Sequence, residues 1–583
     1  MTAEPRPEDV AEALRSGRAP SSMVGDSSGG WVAATTVAST GEPVSTGGLT
    51  VQVVGGSLVD SCATTLARAR DAGLAAALAG KDPTLWGPEA TPEASSRLGW
   101  LDVVGTGRAL LPEVLALRQE LLAEGVDRVV LCGMGGSSLA PEVVCASAGA
   151  PLVVVDTTDP GQVRAALVEL ERTVVVVSSK SGGTLETDSH RRAARAAFEA
   201  AGIDPSRRVV VVTDPGSPFE QTARADGSRA VFLADPDVGG RYSALTAFGI
   251  VPAGLAGADV GALLDAAAEL LATLPSDDSA ALALGAVLTG GAVAGRDKLV
   301  LPPAEGLVGF GDWVEQLVAE STGKQGKGVL PVVVEALDAP GTEPAADTHL
   351  VVAGADATPL PAVGTVVTGS LGAQFLAWEY ATAVLGWGLE INPFDQPNVQ
   401  ESKDNTGAIL DARAGGDSPV RQSPSLFTEG GVEVHATGDL LAGVTDLAGA
   451  LQALLDAVPE RGYLAVMAYL DRHQQAGAHD LRALLARRLA HPVTFGWAPR
   501  FLHSTGQLHK GGPQTGAFLQ VTGAVEQDLE IPGRPFTFGE LQAAQALGDL
   551  RALDQRGRPA LRLHLLDRRE GLATLLRAAG TGP

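Results

Sequence analysis

Short runs of valine and other apolar residues recur along the first half of the chain, each followed by a stretch with helical periodicity. Five such runs fall at 128–132, 152–155, 174–177, 208–212 and 230–233. Continuous runs of this length are typical of strands that are buried on both faces, and intervening helices make such strands parallel. The sequence therefore predicts a doubly wound α/β domain over residues 95–275.

A second series of apolar runs follows at 298–301, 329–334, 349–352, 463–469, 493–495, 517–521 and 561–565. It predicts a second doubly wound α/β domain over residues 276–583, with insertions and peripheral helices. Residues 1–94 differ in composition. The stretch 16–60 is rich in Ser, Thr and Gly, which predicts a flexible or irregular region, and 60–78 have the pattern of a helical arm. We expect no catalytic residue in the irregular stretch.

Composition restricts the functions open to this chain of 583 residues. Acidic residues outnumber basic ones by 68 to 43, a net charge of −25, which disfavours general binding to nucleic acid. The three cysteines form no CxxC or Cys/His spacing, so disulfide scaffolds and zinc modules are excluded. No segment resembles a signal peptide or reaches the ~20 apolar residues of a membrane span. We expect a cytoplasmic protein.

The sharpest local feature follows the first predicted strand, where residues 133–138 read GMGGSS. Glycines at a strand-to-helix turn let the backbone approach an anion such as phosphate, and the helix start directs N–H groups at it. Two alternatives are a tight turn without a ligand and a dinucleotide site, in which Asp156 after the next strand would bind a ribose. Ser138 stands where the dinucleotide fingerprint has its third glycine, which favours phosphate.

A second turn rich in hydroxyl groups follows the run at 174–177, where residues 178–187 read SSKSGGTLET. Serines, a lysine and two glycines between a strand and a helix are typical of an anion-binding nest. The alternative is an ordinary helix start capped by Thr184, which explains one hydroxyl but not the cluster. Because both turns follow strands of one parallel sheet, we expect Ser137, Ser179 and Thr184 to contact the same phosphate.

Four segments further along the chain complete the set. They read GGRYS at 239–243, EQLVAESTGK at 315–324, NPFDQPNVQESK at 392–403 and LHSTGQ at 502–507. With the two turns, they resemble the phosphoglucose isomerase family, whose patterns are GIGGS, SKxxxTxET, GGRxS, QLxxESxGK and FDQxxVExxK. Five patterns in family order over about 270 residues make this resemblance specific.

The resemblance implies two sugar-isomerase domains that interconvert glucose 6-phosphate and fructose 6-phosphate, with no metal and no redox cofactor. It implies that Glu320 is the base, that Arg241 faces the reacting oxygens, and that Lys403 opens the sugar ring together with a histidine. It also implies contacts to the substrate and its phosphate from Gly136, Ser137, Ser179, Lys180, Ser181, Thr184, Gln316 and Gln396.

The identity of the ring-opening histidine is an open point. The segment around His503 is similar to the LHSMGQ pattern of the family, but it follows the FDQ segment and so departs from the family's usual order. His509 in the same loop and His349, between Glu320 and the FDQ segment, are the alternatives. We predict His503, because imidazole titrates near neutrality and its local sequence matches best.

Simpler interpretations of the charged residues also exist. Glu320 and Lys324 stand four apart on a predicted helix, a spacing that is typical of a surface ion pair. Arg241 stands beside two glycines. Such an arginine can lie in a solvated turn, or it can bind oxyanions with its planar guanidinium. The family's chemistry needs both residues inside a site.

Three functions other than a phosphoglucose isomerase fit parts of the sequence. One is an isomerase that also accepts mannose 6-phosphate, and a second is a sugar-phosphate sensor of the same fold without the chemistry. The sensor is disfavoured because it needs no proton carrier such as Glu320. A dehydrogenase ranks third. The resemblance further implies a homodimer, in which the histidine often comes from the neighbouring subunit.

Overall fold

The structure of the protein is a computed structural model that describes residues 40–356, 358–413 and 425–581. Its strands are β1 Val44–Thr46, β2 Leu49–Val54, β3 Arg128–Gly133, β4 Val153–Val155, β5 Thr173–Ser178, β6 Val209–Thr213, β7 Ala230–Leu233, β8 Lys298–Leu301, β9 Leu330–Val333, β10 Thr348–Gly354, β11 Gly364–Gly369, β12 Phe427–Glu429, β13 Val432–Ala436, β14 Tyr463–Tyr469, β15 Val493–Trp497, β16 Gly516–Gly523 and β17 Ala560–Leu565. Its helices are α1 Gly56–Asp71, α2 Leu74–Ala79, α3 Thr91–Ala94, α4 Val103–Ala123, α5 Leu139–Ala148, α6 Pro160–Ala166, α7 Leu185–Ala200, α8 Pro218–Ala225, α9 Ala247–Ala256, α10 Val260–Leu271, α11 Ala280–Val293, α12 Phe310–Thr322, α13 Leu371–Leu389, α14 Val399–Arg413, α15 Leu447–Asp456, α16 Asp480–Ala486, α17 Gly506–Gly511, α18 Phe538–Asp554 and α19 Arg568–Gly580. Helices and parallel sheets together confirm the predicted α/β fold class.

The N-terminal sheet has the order β4-β3-β5-β6-β7, and all its strands are parallel. Its valines alternate between two cores, because successive side chains of a strand point to opposite faces. Val174 and Val176 pack with residues of α4 and α9, whereas Val175 and Val177 pack with residues of α7 and α18. All five strands were predicted from the sequence, because burial on both faces leaves continuous apolar runs.

The central sheet has the order β1-β2-β11-β10-β8-β9, in which β8 to β11 are parallel and β2 is antiparallel to both of its neighbours, β1 and β11. The prediction of irregular structure for residues 16–60 is wrong for 44–54, which form this hairpin, and for 56–60, which begin α1. Leu49 and Val51 are buried, but Thr and Gln between them concealed a strand pattern only a few residues long. Residues 16–39 of the predicted irregular stretch lie outside the described residues.

The C-terminal sheet has the order β12-β13-β17-β16-β14-β15, with β14 to β17 parallel. The strands predicted after residue 276 therefore divide between the central and the C-terminal sheets. β11, β12 and β13 were not predicted, because their polar residues interrupt the apolar runs. The limits of the two domains, 95–275 and 276–583, stay predictions.

Helix α18 lies between two sheets and helps to position the site described below. Phe538 and Leu541 at its start pack into a core of the N-terminal sheet, and Ala546 and Leu553 pack with residues of the C-terminal sheet. Both ends of the helix are thus held by sheet cores. Among the described residues, none of the helices combines the length and apolarity that crossing a bilayer requires.

Candidate active site

The glycine turn after β3 is the point where three distant segments meet. Gly135 has a φ of +55°, and a Cβ on it would lie 2.6 Å from Gln316 Nε2 and 3.2 Å from the Cβ of His503. A Cβ on Gly136 would lie 1.8 Å from the carbonyl oxygen of Gly240. Only glycine permits this approach of backbone to backbone. The turn thus brings the Arg241 loop, α12 and the His503 loop together.

The last two turns of α12 carry the predicted base. Glu320 is 9% exposed, and its Oε1 lies 3.2 Å from Nη1 of Arg241, which is 3% exposed. The amide of Gln316, one turn earlier, donates to Glu320 Oε2 over 3.2 Å and to the backbone oxygen of His503 over 2.9 Å. The structure therefore brings the predicted base, the predicted cation and the loop of the predicted histidine into direct contact.

Arg241 also holds the FDQ segment in place. Its Nη2 donates to the carbonyl oxygens of Pro393 and Asp395, over 2.7 and 3.0 Å, and its Nη1 donates to Gln396 Oε1 over 2.9 Å. Its Nε donates to Ser321 Oγ over 2.8 Å. These contacts fix the position of the planar guanidinium, so that Arg241 can act on a neighbouring negative charge through its own fixed positive charge. Gln396 itself is exposed, beside the arginine as predicted.

Lys324 is not part of a surface ion pair with Glu320. Its side chain is buried, and its Nζ donates to the carbonyl oxygen of Asn392 over 2.8 Å and to Asp395 Oδ1 over 2.6 Å. Burial lowers the pKa of Lys324 to about 8, with a further contribution from the nearby charge of Arg241. Lys324 therefore anchors the FDQ segment from a buried position and does not form the surface ion pair that its spacing from Glu320 suggested.

His503 is paired with a carboxylate that the sequence analysis did not single out. Its Nε2 lies 3.1 Å from Oε1 of Glu186, and the same oxygen accepts a hydrogen bond of 2.7 Å from Nε2 of Gln545 on α18. Burial tends to raise the pKa of Glu186, but the hydrogen bond and the charge of His503 hold this pKa down at about 2. A fixed, ionised carboxylate thus orients the imidazole. Glu186 is part of the hydroxyl-rich motif at 178–187, but nothing in that motif indicates that His503 is its partner.

A cleft of about 430 Å³ opens in front of this pair. Its lining includes side chains from the second hydroxyl-rich turn, from α14 and from α18: Ser181, Thr184, Glu186, Lys403, His503 and Gln545. The exposed ammonium of Lys403 also helps to lower the pKa of Glu186. The cleft therefore joins the predicted ring-opening pair to two of the predicted phosphate ligands.

The hydroxyl groups of the second turn have different partners. Ser179 Oγ accepts from the backbone N–H of Gly182 over 3.1 Å, and Ser181 Oγ accepts from that of Gly183 over 3.2 Å. Thr184 is the N-cap residue of α7, but its side chain makes no capping hydrogen bond to the described chain. The predicted cap thus leaves its hydroxyl available to the cleft. Ser137, half-buried, ends the 3-10 turn that follows Met134.

Lys180 is one of the predicted phosphate ligands that do not line the cleft, and the others are Gly136, Ser137 and Ser179. Its Nζ lies 2.6 Å from Asp214 Oδ2 and donates to the carbonyl oxygens of Pro236 and Val238 over 3.1 and 2.9 Å. A phosphate would have to compete with these three acceptors for the ammonium. In this arrangement Lys180 fastens the turn to the segment that precedes Gly239.

Neither alternative histidine reaches this cleft. His349 lies in β10, its Nε2 is 2.9 Å from Thr365 Oγ1, and burial lowers its pKa to about 4. His509 lies among aromatic rings, with ring centroids 6.0 Å from Tyr463 and 5.1 Å from Phe518. Burial holds the pKa of His509 well below its usual range. Both are core histidines, which leaves His503 as the histidine at the site.

Asp156, the acid that would bind the ribose in a dinucleotide site, instead contacts other side chains of the protein. It is buried and accepts from Ser138 Oγ over 3.2 Å, and its Oδ2 lies 2.6 Å from Arg500 Nε. Arg500 begins the short 3-10 turn that ends at His503. Asp156 therefore anchors the histidine loop to the end of β4.

Part of the chain matches a known protein family. Residues 121–332 match the family model described as phosphoglucose isomerase. The resemblance that the motifs indicated is confirmed over this segment. The segment contains both predicted anion-binding turns, Arg241 and the Gln316–Glu320 pair, whereas the FDQ segment and the loop of His503 lie beyond it.

The chain is similar to curated glucose-6-phosphate isomerases over part of its length. It is 37% identical to that of Rippkaea orientalis over 217 residues, which cover 35% of this chain and 41% of the relative. It is 38% identical to a probable glucose-6-phosphate isomerase of Haloarcula marismortui over 216 residues, which cover 35% of this chain and 49% of that protein. The chain thus spans less than half of the length of these curated relatives.

Two solved structures share the fold. A hypothetical protein of Thermus thermophilus has a TM-score of 0.51 and 25% sequence identity, with coverage of 62% of this chain and 98% of that chain. A glucose-6-phosphate isomerase of Chlamydia trachomatis has a TM-score of 0.51 and 18% identity, with coverage of 64% and 90%. The second likeness concerns the fold alone.

Proposed function

We propose that this protein is a glucose-6-phosphate isomerase, which interconverts glucose 6-phosphate and fructose 6-phosphate in glycolysis and gluconeogenesis. The reaction opens the sugar ring, moves a proton between C1 and C2, and passes through a cis-enediolate. It needs an acid/base pair for the ring, one carboxylate for the proton and a cation beside the reacting oxygens. Each of these groups has a candidate in the site.

The proposal assigns each step to a residue. Ser137, Ser179, Ser181 and Thr184 bind the phosphate with the backbone of Gly136, and Lys403 and His503 open the ring. Glu320 carries the proton between the two carbons. Arg241 stabilises the negative charge that develops on the oxygens, since a guanidinium fixed in a buried site needs no reorganisation during the reaction. Gln316 and Gln396 hold Glu320 and Arg241 in position.

One observation carries the proposal. The Gln316 amide bridges Glu320 Oε2 and the backbone of His503, over 3.2 and 2.9 Å. The proton carrier and the ring-opening histidine of the proposal are thereby held in one fixed geometry, although His503 follows the FDQ segment in the chain. A rigid relation between acid/base groups is what catalysis requires and what a binding protein does not need.

The decisive experiment is an assay of fructose 6-phosphate formation by the wild type and by Glu320→Gln. The amide keeps the shape of the side chain but cannot carry a proton, so kcat should fall at least about 100-fold while substrate binding survives. Exchange of the C2 proton with solvent should disappear as well. Exchange at the wild-type rate in Glu320→Gln would assign the base to another carboxylate.

Glu113→Gln is the matched control, because Glu113 is an exposed glutamate of α4 outside the site. It should keep the wild-type kcat. If the wild type binds the sugar phosphate but forms no product, the protein is a sensor. Conversion of mannose 6-phosphate by the same preparation, with loss of that activity in Glu320→Gln, would extend the proposal to a bifunctional phosphoglucose/phosphomannose isomerase.

The proposal includes a cytoplasmic homodimer, which rests on the family resemblance. Light scattering coupled to size exclusion should give a mass of about twice the 59.3 kDa of the chain. In the present structure Glu186, Lys403 and His503 line one cleft of a single chain, so we expect that dissociation of a dimer leaves the ring-opening pair assembled.

A further inference from the structure

The C-terminal sheet has one apolar face and one polar face. The apolar face packs against α15, α16 and α19 through residues such as Leu519, Leu561 and Leu563. On the opposite face, alternate positions of β13, β17, β16 and β14 are polar: Glu433, His435, Arg562, His564, Gln520, Thr522 and Tyr469. Interior parallel strands are usually apolar on both faces, so a polar face requires a reason.

Arg562, near the middle of this face, is buried without a counter-ion. It is 7% exposed, and among the described residues no carboxylate lies within 4.0 Å of its guanidinium and no acceptor bonds its Nε. Burial lowers the pKa of Arg562, with Glu433 and Tyr469 opposing that shift. A buried cation without a partner destabilises a protein unless something else compensates its charge.

Two further donors near Arg562 lack partners. The Tyr469 hydroxyl, on a residue 1% exposed, and Gln542 Nε2, on a residue 4% exposed, have no hydrogen bond to any described residue. Arg562, Tyr469 and Gln542 line the same cleft of about 330 Å³, together with Thr522 and His564. Buried polar groups are nearly always hydrogen-bonded. Three unpaired donors around one cleft indicate a ligand that accepts hydrogen bonds.

The acidic residues at the mouth of this cleft are occupied. Asp528 accepts from the backbone N–H of Gly539 over 2.8 Å and from Thr537 Oγ1 over 2.6 Å. Glu540 accepts from the backbone N–H of Thr537 over 2.9 Å. These carboxylates cap the start of α18 and leave the charge of Arg562 uncompensated. Gln520, the register partner of Arg562 on β16, offers a neutral amide oxygen and no charge.

The cleft lies where an open α/β sheet binds ligands. β14 and β16 are neighbours, but the chain continues from β14 to β15 on one side and from β16 to β17 on the other. The strand order therefore reverses between β14 and β16, and ligands of such sheets bind at the carboxyl ends of the strands at this point. Tyr469 and Thr522, which line the cleft, are at the ends of these two strands.

We propose that this cleft binds a small anion, one that carries a phosphate or a carboxylate group, with Arg562 as its counter-ion. Tyr469, Gln542 and the Thr522–His564 pair supply the remaining hydrogen bonds. The site is separate from the candidate active site, because its lining includes none of the residues proposed for isomerisation. Helix α18 borders both, with Gln545 bonded to Glu186 and Gln542 facing the anion cleft.

The first test follows the His564 side chain by NMR during titration with inorganic phosphate and, separately, with malate at constant ionic strength. His564→Gln identifies the resonances. Burial, with the charge of Arg562 next, lowers the pKa of His564 to about 4, and His435 has the same pKa. An anion on Arg562 should shift these signals saturably and raise both pKa values. Besides burial, the charges that lower the pKa of His564 are those of Arg562, His435 and Arg568. The other titratable side chains around it are Glu433, its register partner on β13, and Tyr469, Asp528 and Glu540 in the lining of the cleft.

Comparing the shifts that phosphate and malate produce distinguishes a phosphate ligand from a carboxylate ligand. A saturable shift with either probe supports the proposal, and no saturable shift with both overturns it. This arm uses the wild type, so it does not depend on whether a variant folds.

The second test is calorimetry with the stronger probe on the wild type and on Arg562→Met. Loss of a charge-assisted hydrogen bond should weaken binding at this cleft at least about 10-fold. Phosphate that also occupies the candidate active site appears as a second binding event, which the variant keeps. Arg487→Met, at an exposed position beyond the cleft, is the control and should bind as the wild type does. Wild-type stoichiometry and affinity in Arg562→Met would refute the proposal, whatever the outcome of the isomerase assay.

Discussion

His503 Nε2 lies 3.1 Å from Glu186 Oε1, although the two residues are 317 positions apart in the chain. Glu186 lies in the first turn of α7, directly after the hydroxyl-rich turn that follows β5, and His503 ends a 3-10 turn after β15. The pair therefore joins the N-terminal sheet to the C-terminal sheet at the cleft. A carboxylate in this position orients the imidazole towards the cleft.

Glu186→Gln should lower kcat on cyclic sugar phosphate by at least about 10-fold, because the imidazole loses its ionised partner. Binding of the phosphate should change little. The assay compares the variant with Glu199→Gln, an exposed glutamate of the same helix, which should behave as the wild type. Equal rates for Glu186→Gln and the wild type would remove the pair from the mechanism.

The same carboxylate predicts a pH dependence of stability. Its folded pKa of about 2 lies below the ordinary value of 4.5, so the folded state binds this proton less readily than the unfolded state. The stabilisation is complete above about pH 4.5 and is lost as the pH falls towards 2. The melting temperature of the wild type should therefore exceed that of Glu186→Gln at higher pH, and this difference should disappear only in that acid range. A constant difference down to pH 2 would contradict the pairing.

His503→Ala should lose far more activity on cyclic substrate than on an open-chain analogue, such as a four-carbon sugar phosphate that cannot cyclise. The reason is that only the cyclic substrate needs ring opening. His349→Gln and His509→Gln change core residues, so they should lower the melting temperature while the ratio of the two activities stays at the wild-type value. Equal loss on both substrates in His503→Ala would make this histidine a structural one.

The sequence predicted the parts of the fold that burial alone determines. Val174 to Val177 lie in β5 because a strand covered on both faces leaves an uninterrupted apolar run. The β1-β2 hairpin escaped prediction because Thr50 and Gln52 alternate with buried residues over a very short span. The polar face of the C-terminal sheet hid β13 for the same reason, since Glu433 and His435 interrupt its valines.

The motifs located the members of the candidate site but not their contacts. Glu320 and Arg241 were predicted, and they are 3.2 Å apart. Glu186 was missed because its partner comes from a distant loop, and pairings across such distances are set by the tertiary fold. Lys180 was assigned to phosphate from the family resemblance, yet its ammonium contacts Asp214, a contact that no local pattern indicates.

Thr184→Val should raise KM for the sugar phosphate by roughly 10- to 100-fold, because it removes one hydrogen bond to a charged group. The Thr184 hydroxyl makes no capping hydrogen bond that the substitution could remove, so the stability of α7 should hardly change. Lys180→Met provides the contrast. Its ammonium is shared among Asp214 and two carbonyl oxygens, so we expect lower thermal stability and a smaller effect on KM. An unchanged KM in Thr184→Val would exclude that residue as a phosphate ligand.

Glu315 has a buried carboxyl that we expect to be protonated at neutral pH. Burial, with the charge of Asp312 next, raises the pKa of Glu315 to about 8, and Oε1 accepts a hydrogen bond of 2.7 Å from Ser504 Oγ. Since this folded pKa lies above the ordinary 4.5, the folded state keeps a proton that the unfolded state releases. Stability should therefore fall as the pH rises from about 4.5 to about 8.

Glu315→Gln keeps a neutral side chain of the same shape and titrates nowhere in this range. Its melting temperature should equal that of the wild type near pH 5 and exceed it increasingly towards pH 9. Ser504 directly follows His503, so loss of the neutral acid above pH 8 should also disturb the histidine loop. The kcat of the wild type should then decline at high pH more steeply than that of Glu315→Gln. Parallel profiles of melting temperature for the two proteins would mean that Glu315 is ionised throughout.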